Sequence, residues 1–244
     1  MGRVIAAETM AALPSVGDDV GDGDREFLDV GGDEIGWLLA EHILSNTTGK
    51  DRLVVTTLVS SSLLGKIAKR YGVHIKETFT GFKWIGRTIL DHPALRFVFG
   101  YEQALGYLVA PRPLDKDGIS AGVMLTEVAS VAALEGTTLQ AKLDSIASRY
   151  GRHVTRDLSV RMDPAVGAKA VAKLQACPPR SIGGAKVIDV VSYPEADLLR
   201  FELAGGIRVQ VRPSGTEPKV KFYGEAVDAD PIAYIDALIA LLTI

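Results

Sequence analysis

Arg212-Pro213-Ser214-Gly215-Thr216-Glu217-Pro218-Lys219 separates two runs in which apolar and polar residues alternate, Ile207 to Val211 and Val220 to Tyr223. Alternation at a period of two predicts strands, so the stretch between them reads as a loop joining neighbouring strands of a sheet. Its composition admits two readings. Pro and Gly can be turn punctuation and nothing more. Alternatively the loop cradles an anion: Gly215 tolerates a positive φ and lets successive N–H groups converge, Arg212 can grip a phosphate with two parallel hydrogen bonds, Ser214 and Thr216 offer hydroxyls, and Lys219 adds a point charge.

Working outward, the runs Lys186 to Val191 and Leu198 to Leu203 precede those two, so four strands follow one another. Asp163-Pro164 opens a helix to Ala176 in front of them, Pro178 to Gly184 is a loop, and Pro231 to Leu242 reads as a closing amphipathic helix. A meander between two helices is an α+β domain. His153 to Arg161 alternates and leads into it. Upstream, strand and helix patterns take turns: Leu53 to Val59, Ser60 to Tyr71, His74 to Thr80, Phe82 to Asp91 and Arg96 to Tyr101, then two helices, one capped by Ser120 and running to Glu135, the other from Thr138 to Tyr150. That rhythm is an α/β layer. Gly32 to Leu44 reads as an amphipathic helix with Asp33 as its N-cap; before it, Ala11-Ala12-Leu13 and Glu26 to Val30 read as strands around an acidic, Gly-rich loop. The expected domains are residues 1–49, 50–155 and 156–244.

The bulk composition is that of a globular protein, with 47% hydrophobic and 23% charged residues. A net charge of -3 gives no basic footprint for nucleic acid, so an anion must be held by local charge. The one cysteine, Cys177, cannot form an intrachain disulfide and fits a reducing cytoplasm. No apolar run has membrane-spanning length, and no membrane partner is expected. The four histidines show no metal-ligand spacing.

The loop at Arg212 resembles the C-terminal phosphate-binding loop of the α-D-phosphohexomutases, the phosphoglucomutase/phosphomannomutase superfamily. Three other segments resemble the same family in the same order: Thr80-Gly81-Phe82-Lys83-Trp84-Ile85-Gly86, Gly100-Tyr101-Glu102-Gln103-Ala104-Leu105-Gly106-Tyr107, and Asp115-Lys116-Asp117-Gly118-Ile119-Ser120. Together they are far more specific than any one alone. The resemblance implies the end of a second α/β domain, a mixed-sheet α/β third domain and a small α+β C-terminal domain. It also implies a phosphosugar mutase acting on hexose or pentose phosphates. A complete member carries a phosphorylated serine in a Ser-His-Asn loop of its first domain. No Ser-His-Asn occurs here, so the chain reads as the C-terminal half of such an enzyme, inactive alone and without catalytic residues of its own. A separately encoded N-terminal half would complete it. The alternatives are a sugar-phosphate-binding protein without turnover and a truncated gene product.

Residue roles follow from the resemblance. Glu102 would accept hydrogen bonds from sugar hydroxyls, at the strand end where α/β proteins bind ligands. Lys83, in the first turn of a helix, would assist with a phosphate or sugar oxygen. Tyr107 would add a phenol to the substrate site. Phe82 stands where sugar-selective relatives often carry histidine, and Phe82 and Trp84 suit a core as well as a ligand. The family holds Mg²⁺ with three aspartates in a D-x-D-x-D-R loop. Asp22-Gly23-Asp24-Arg25 approaches that pattern, but Val20 takes the first position and too few residues separate Arg25 from the following helix. The magnesium loop is therefore expected to be missing and Asp22 and Asp24 to form a hairpin tip.

Overall fold

A computed structural model describes residues 30–214 and 217–242. The elements expected before Val30, the Asp22–Arg25 segment, Gly215 and Thr216 lie outside the described residues. The chain divides into two units between Arg149 and Tyr150.

The first unit holds helix α1 (Gly32–Ser45), strand β1 (Arg52–Thr57), α2 (Leu63–Arg70), β2 (His74–Thr78), α3 (Phe82–Asp91), β3 (Arg96–Glu102), β4 (Gly106–Leu108), α4 (Gly118–Leu134) and α5 (Leu139–Tyr150). The sheet order is β2-β1-β3-β4, with β2 and β3 parallel to β1 and β4 antiparallel to β3. Every residue of β1 is buried, as a central strand covered on both faces requires. On one face α3 sends Phe82 and Ile85 into a core with Leu53, Val55, Phe97 and Leu108. On the other, α1 lies so close to β3 that a side chain at Gly36 would collide with the ring of Tyr101. The helix that the sequence set apart with residues 1–49 thus packs on this sheet.

Two helix starts differ from the sequence expectation. In α1 the cap is Glu34, whose Oε2 accepts the Gly31 N–H at 2.7 Å, while Asp33 turns inward and is buried. In α4 the cap is Asp117 and not Ser120: its carboxylate accepts the Ile119 N–H at 3.0 Å, because an N-cap oxygen must sit before the first turn to reach its orphan donors. Ser120, one turn in, supports Asp117 by a hydrogen bond that helps hold its carboxyl below the usual range. The helix expected from Ser60 begins only at Leu63, because the serines form the turn after β1.

The second unit holds β5 (His153–Arg161), α6 (Pro164–Ala176), β6 (Ser181–Ile182), β7 (Ala185–Tyr193), β8 (Leu198–Leu203), β9 (Ile207–Pro213), β10 (Lys219–Val227) and α7 (Ile232–Leu242). Its six strands run in the order β5-β10-β9-β8-β7-β6, all neighbours antiparallel. Alternation sends Leu199, Phe201, Val209, Val211, Val220 and Phe222 to one face, where Val171 and Leu174 of α6 and Ile235 and Leu238 of α7 complete the core. The other face is polar. There Glu225 accepts from Arg208 at 2.7 Å and lies 2.7 Å from His153 Nδ1, all three buried.

Candidate functional site

The loops that leave β1, β2 and β3 gather at the C-terminal edge of the parallel strands, where open α/β sheets bind ligands. Glu102 ends β3 there. Unlike the exposed charge that such a residue usually is, it is 7% exposed, and its Oε1 accepts the Gly81 N–H at 2.7 Å. Gly81 has φ 114°, a conformation that a side chain would strain, and it starts α3. The N-terminus of α3 therefore already holds an anion, the carboxylate of Glu102. A side chain at Gly106 would crowd the Phe82 ring at 3.2 Å and reach ordinary contact with Glu102 Oε2 at 3.6 Å, so the opposing strand passes close to this carboxylate.

Lys83 is exposed in the first turn of α3, its Nζ 5.4 Å from the centre of the Trp84 ring. Trp84 is 36% exposed and meets Phe79 edge to face at 5.2 Å. Phe82 belongs to the core. Tyr107 is buried, and its phenol donates to Gly32 O at 2.8 Å. Burial, and then the charge of Asp33, push this phenol far above the usual tyrosine range. Tyr107 is thus tied to the protein's own backbone.

Behind these residues lies a connected polar layer. Asp33 Oδ1 accepts from Ser61 N and from Tyr101 Oη, both at 2.8 Å. Ser60 Oγ lies 2.8 Å from Thr57 Oγ1, donates to Gln103 Oε1 at 3.1 Å and accepts the Gln103 N–H at 3.2 Å. These bonds fix the loop after β1 to the loop after β3. Arg87 and Arg96 stay outside this layer, pairing with Asp91 and Asp51.

In the second unit, Arg212 lies near the end of β9 and faces away from the core. Its Nε is buried without a hydrogen-bond partner among the described residues. Ser214 N donates to Lys219 O at 2.9 Å, closing the base of the loop. Lys219, expected as a point charge for a ligand, pairs with Glu217 at 2.6 Å. A hydrogen bond from Lys219, its charge, and more weakly the charge of Lys221 hold the Glu217 carboxyl below its usual range. Sequence reading passed over Lys221, which stands directly opposite Arg212 in the ladder. Its signal was the alternation Lys219-Val220-Lys221, but the partner became visible only with the register. A cavity of about 230 Å³ is lined by Val171 and Ala172 of α6 and by Tyr193, Leu199 and Pro213.

Among the described residues no three His, Cys, Asp or Glu side chains are placed to hold a metal ion. No single described helix is long and apolar enough to cross a membrane.

Residues 31–150 match the family model for the phosphoglucomutase/phosphomannomutase alpha/beta/alpha domain III, and residues 157–242 match the model for the C-terminal domain of the same family. A probable phosphomannomutase of Haemophilus influenzae is 36% identical over 218 residues, covering 87% of this chain and 44% of that protein. Human phosphopentomutase is 32% identical over 203 residues, covering 72% of this chain and 33% of that protein. The chain thus spans less than half the length of these curated relatives. Among solved structures, the open form of pp63/parafusin, a phosphoglucomutase of Paramecium, superposes with a TM-score of 0.66 at 20% identity, over 89% of this chain and 41% of that one.

Proposed function

The chain belongs to the phosphoglucomutase/phosphomannomutase family, whose third and C-terminal domains it carries, and from this we propose that it binds a phosphorylated hexose or pentose for intramolecular phosphate transfer. In the reaction of this family a phosphoryl group moves between O1 and O6 of a hexose, or O5 of a pentose, through a bisphosphate. Arg212, Ser214, Gly215, Thr216 and Lys219 hold the phosphate that is not reacting. Glu102 takes sugar hydroxyls on the carboxylate oxygen that Gly81 leaves open. Lys83 supplies charge at the same edge, and Tyr107 fixes the strand beside Glu102. Binding the remote phosphate orients the reacting end, which is how binding energy lowers a barrier elsewhere on the substrate. Magnesium, where the complete enzyme binds it, stabilises charge on the transferring phosphoryl group.

The buried Arg212 Nε, without a partner among the described residues and at the mouth of the hairpin loop, carries this reading. A buried donor left unpaired costs about 1–3 kcal/mol, and an anion at the loop relieves it. A second reading is a sugar-phosphate binder without turnover.

Titration of the whole chain with glucose 6-phosphate, mannose 6-phosphate and ribose 5-phosphate tests the site and ranks the sugars. Arg212→Ala is expected to weaken binding more than tenfold, about 1.4 kcal/mol. Glu102→Gln keeps an acceptor for Gly81 and is expected to lose affinity for the sugar with the fold intact. Wild-type affinity in both variants overturns the assignment. The chain alone is expected to give no interconversion of glucose 1- and 6-phosphate. Turnover on adding the N-terminal half of a relative favours the mutase reading, and binding without any such rescue favours the second.

A further inference from the structure

The register of the second sheet brings four cations to one end of its polar face. Lys221 stands opposite Arg212, and Lys219 stands opposite Arg161 of β5. Val211, Val220, Phe222, Leu158 and Val160 turn toward the helices, so these four side chains all turn the other way. Like charges directly opposite each other on neighbouring strands repel, and a bound anion relieves that repulsion. The acidic groups nearby are few. Glu217 is engaged with Lys219 at 2.6 Å. Asp163 caps α6 through the N–H groups of Ala165 and Val166. Among the described residues Lys221 and Arg161 form no ion pair and the buried Arg212 Nε has no hydrogen-bond partner.

Resting on the reading of Arg212–Lys219 as a phosphate loop, we propose that Lys221 is a third cation of that site, beside Arg212 and Lys219. We further propose that Glu217 is a resident counter-anion that the ligand's phosphate displaces from Lys219. A phosphomonoester is a dianion above about pH 6 and presents three acceptor oxygens. Arg212 can engage two of them in parallel, and a compact ammonium from the facing strand suits the third. With Glu217 in place, Lys219 is neutralised and the carboxylate repels an incoming phosphate. Binding therefore includes an exchange of one anion for another at Lys219. Before the ligand binds, Glu217 compensates Lys219 alone of the four cations, so a dianion is favoured over a singly charged ligand.

The test is a glucose 6-phosphate titration of the full chain at pH 7.5 and low salt, with every variant checked for an unchanged melt. Lys221→Gln is expected to weaken binding about tenfold and Lys221→Arg to restore it, since the loss is of one charge-assisted hydrogen bond. Glu217→Gln is expected to tighten binding severalfold, a gain that a merely structural role for Glu217 does not give. Arg156→Gln is the control for net charge, because Arg156 lies on the other side of β5 and pairs with Asp230 at 2.8 Å. It is expected to bind as wild type. If Lys221→Gln and Glu217→Gln both keep wild-type affinity while Arg212→Ala loses it, this inference fails and the loop reading stands. If Arg212→Ala also binds as wild type, or the wild type does not bind, both fail.

Discussion

Tyr107 shows how one hydroxyl joins a helix to a strand. Its phenol donates to Gly32 O from a buried position, so it is neutral in the folded protein, and burial raises its titration well beyond that of an unfolded tyrosine. A group whose folded pKa is raised contributes stability that is complete below the unfolded value, near pH 10, and is lost as pH climbs beyond it. Tyr107→Phe is expected to lose about 1 kcal/mol at pH 7, the net worth of one hydrogen bond. Urea midpoints between pH 8 and 11 are expected to fall less steeply in the variant, with Tyr71, also raised by burial and by its bond to Glu41, responsible for what remains. Identical alkaline slopes contradict this role. Sequence could single out Tyr107 but not its partner, because a phenol facing a ligand and a phenol facing a backbone carbonyl 75 positions away look alike in one dimension. Asp33 misled in the same way. An aspartate before an apolar run is a fair N-cap signal, yet here the acceptor it offers is used by Ser61 and Tyr101 across the core.

At the scale of elements, α1 and the β3–β4 hairpin fit because one of them has no side chain where they touch. A Cβ at Gly32 would come within 1.9 Å of Gln103 O, backbone that cannot step aside. Helix propensity alone favours Gly32→Ala by about 1 kcal/mol. Overpacking opposes it by about 1–3 kcal/mol or more, and here the collision is with the loop that follows Glu102. The expected outcome is a net loss of stability, read as a lower denaturant midpoint, together with weaker glucose 6-phosphate binding as the hairpin shifts. A neutral or stabilising substitution rules out this seating. The helices and strands themselves were legible from periodicity: Phe82 to Asp91 buries Phe82, Ile85 and Gly86 at helical spacing, and Leu199, Phe201 and Leu203 alternate with Arg200 and Glu202. The hairpin was not. Its three-residue loop places Leu105 at φ 61°, where glycine is the usual choice, so the customary turn signal is missing and Gly106 to Leu108 passed for loop.

For the whole molecule the informative division falls between Arg149 and Tyr150, a point that the composition does not mark. The four recognisable segments placed the family on the chain, because each combines residues whose order carries information beyond hydropathy. The charge layout around Arg212 needed the ladder, which pairs residues that the sequence separates. The second unit has what an independent domain requires: a six-stranded sheet, two helices and one continuous apolar core that includes Phe201, Val209, Phe222 and Leu238, all fully buried. At about 0.05–0.15 kcal/mol per residue, a domain of this size is expected to hold roughly 5–15 kcal/mol. Tyr150–Ile244 produced alone is therefore expected to melt in a single cooperative transition by circular dichroism. It is also expected to bind glucose 6-phosphate more weakly than the full chain, since Glu102 is gone and Arg212 remains, with the residual binding abolished by Arg212→Ala. A gradual, non-cooperative melt counts against an autonomous second unit. Undiminished affinity counts against a sugar contact from Glu102, and the two outcomes are read from separate experiments on the same sample.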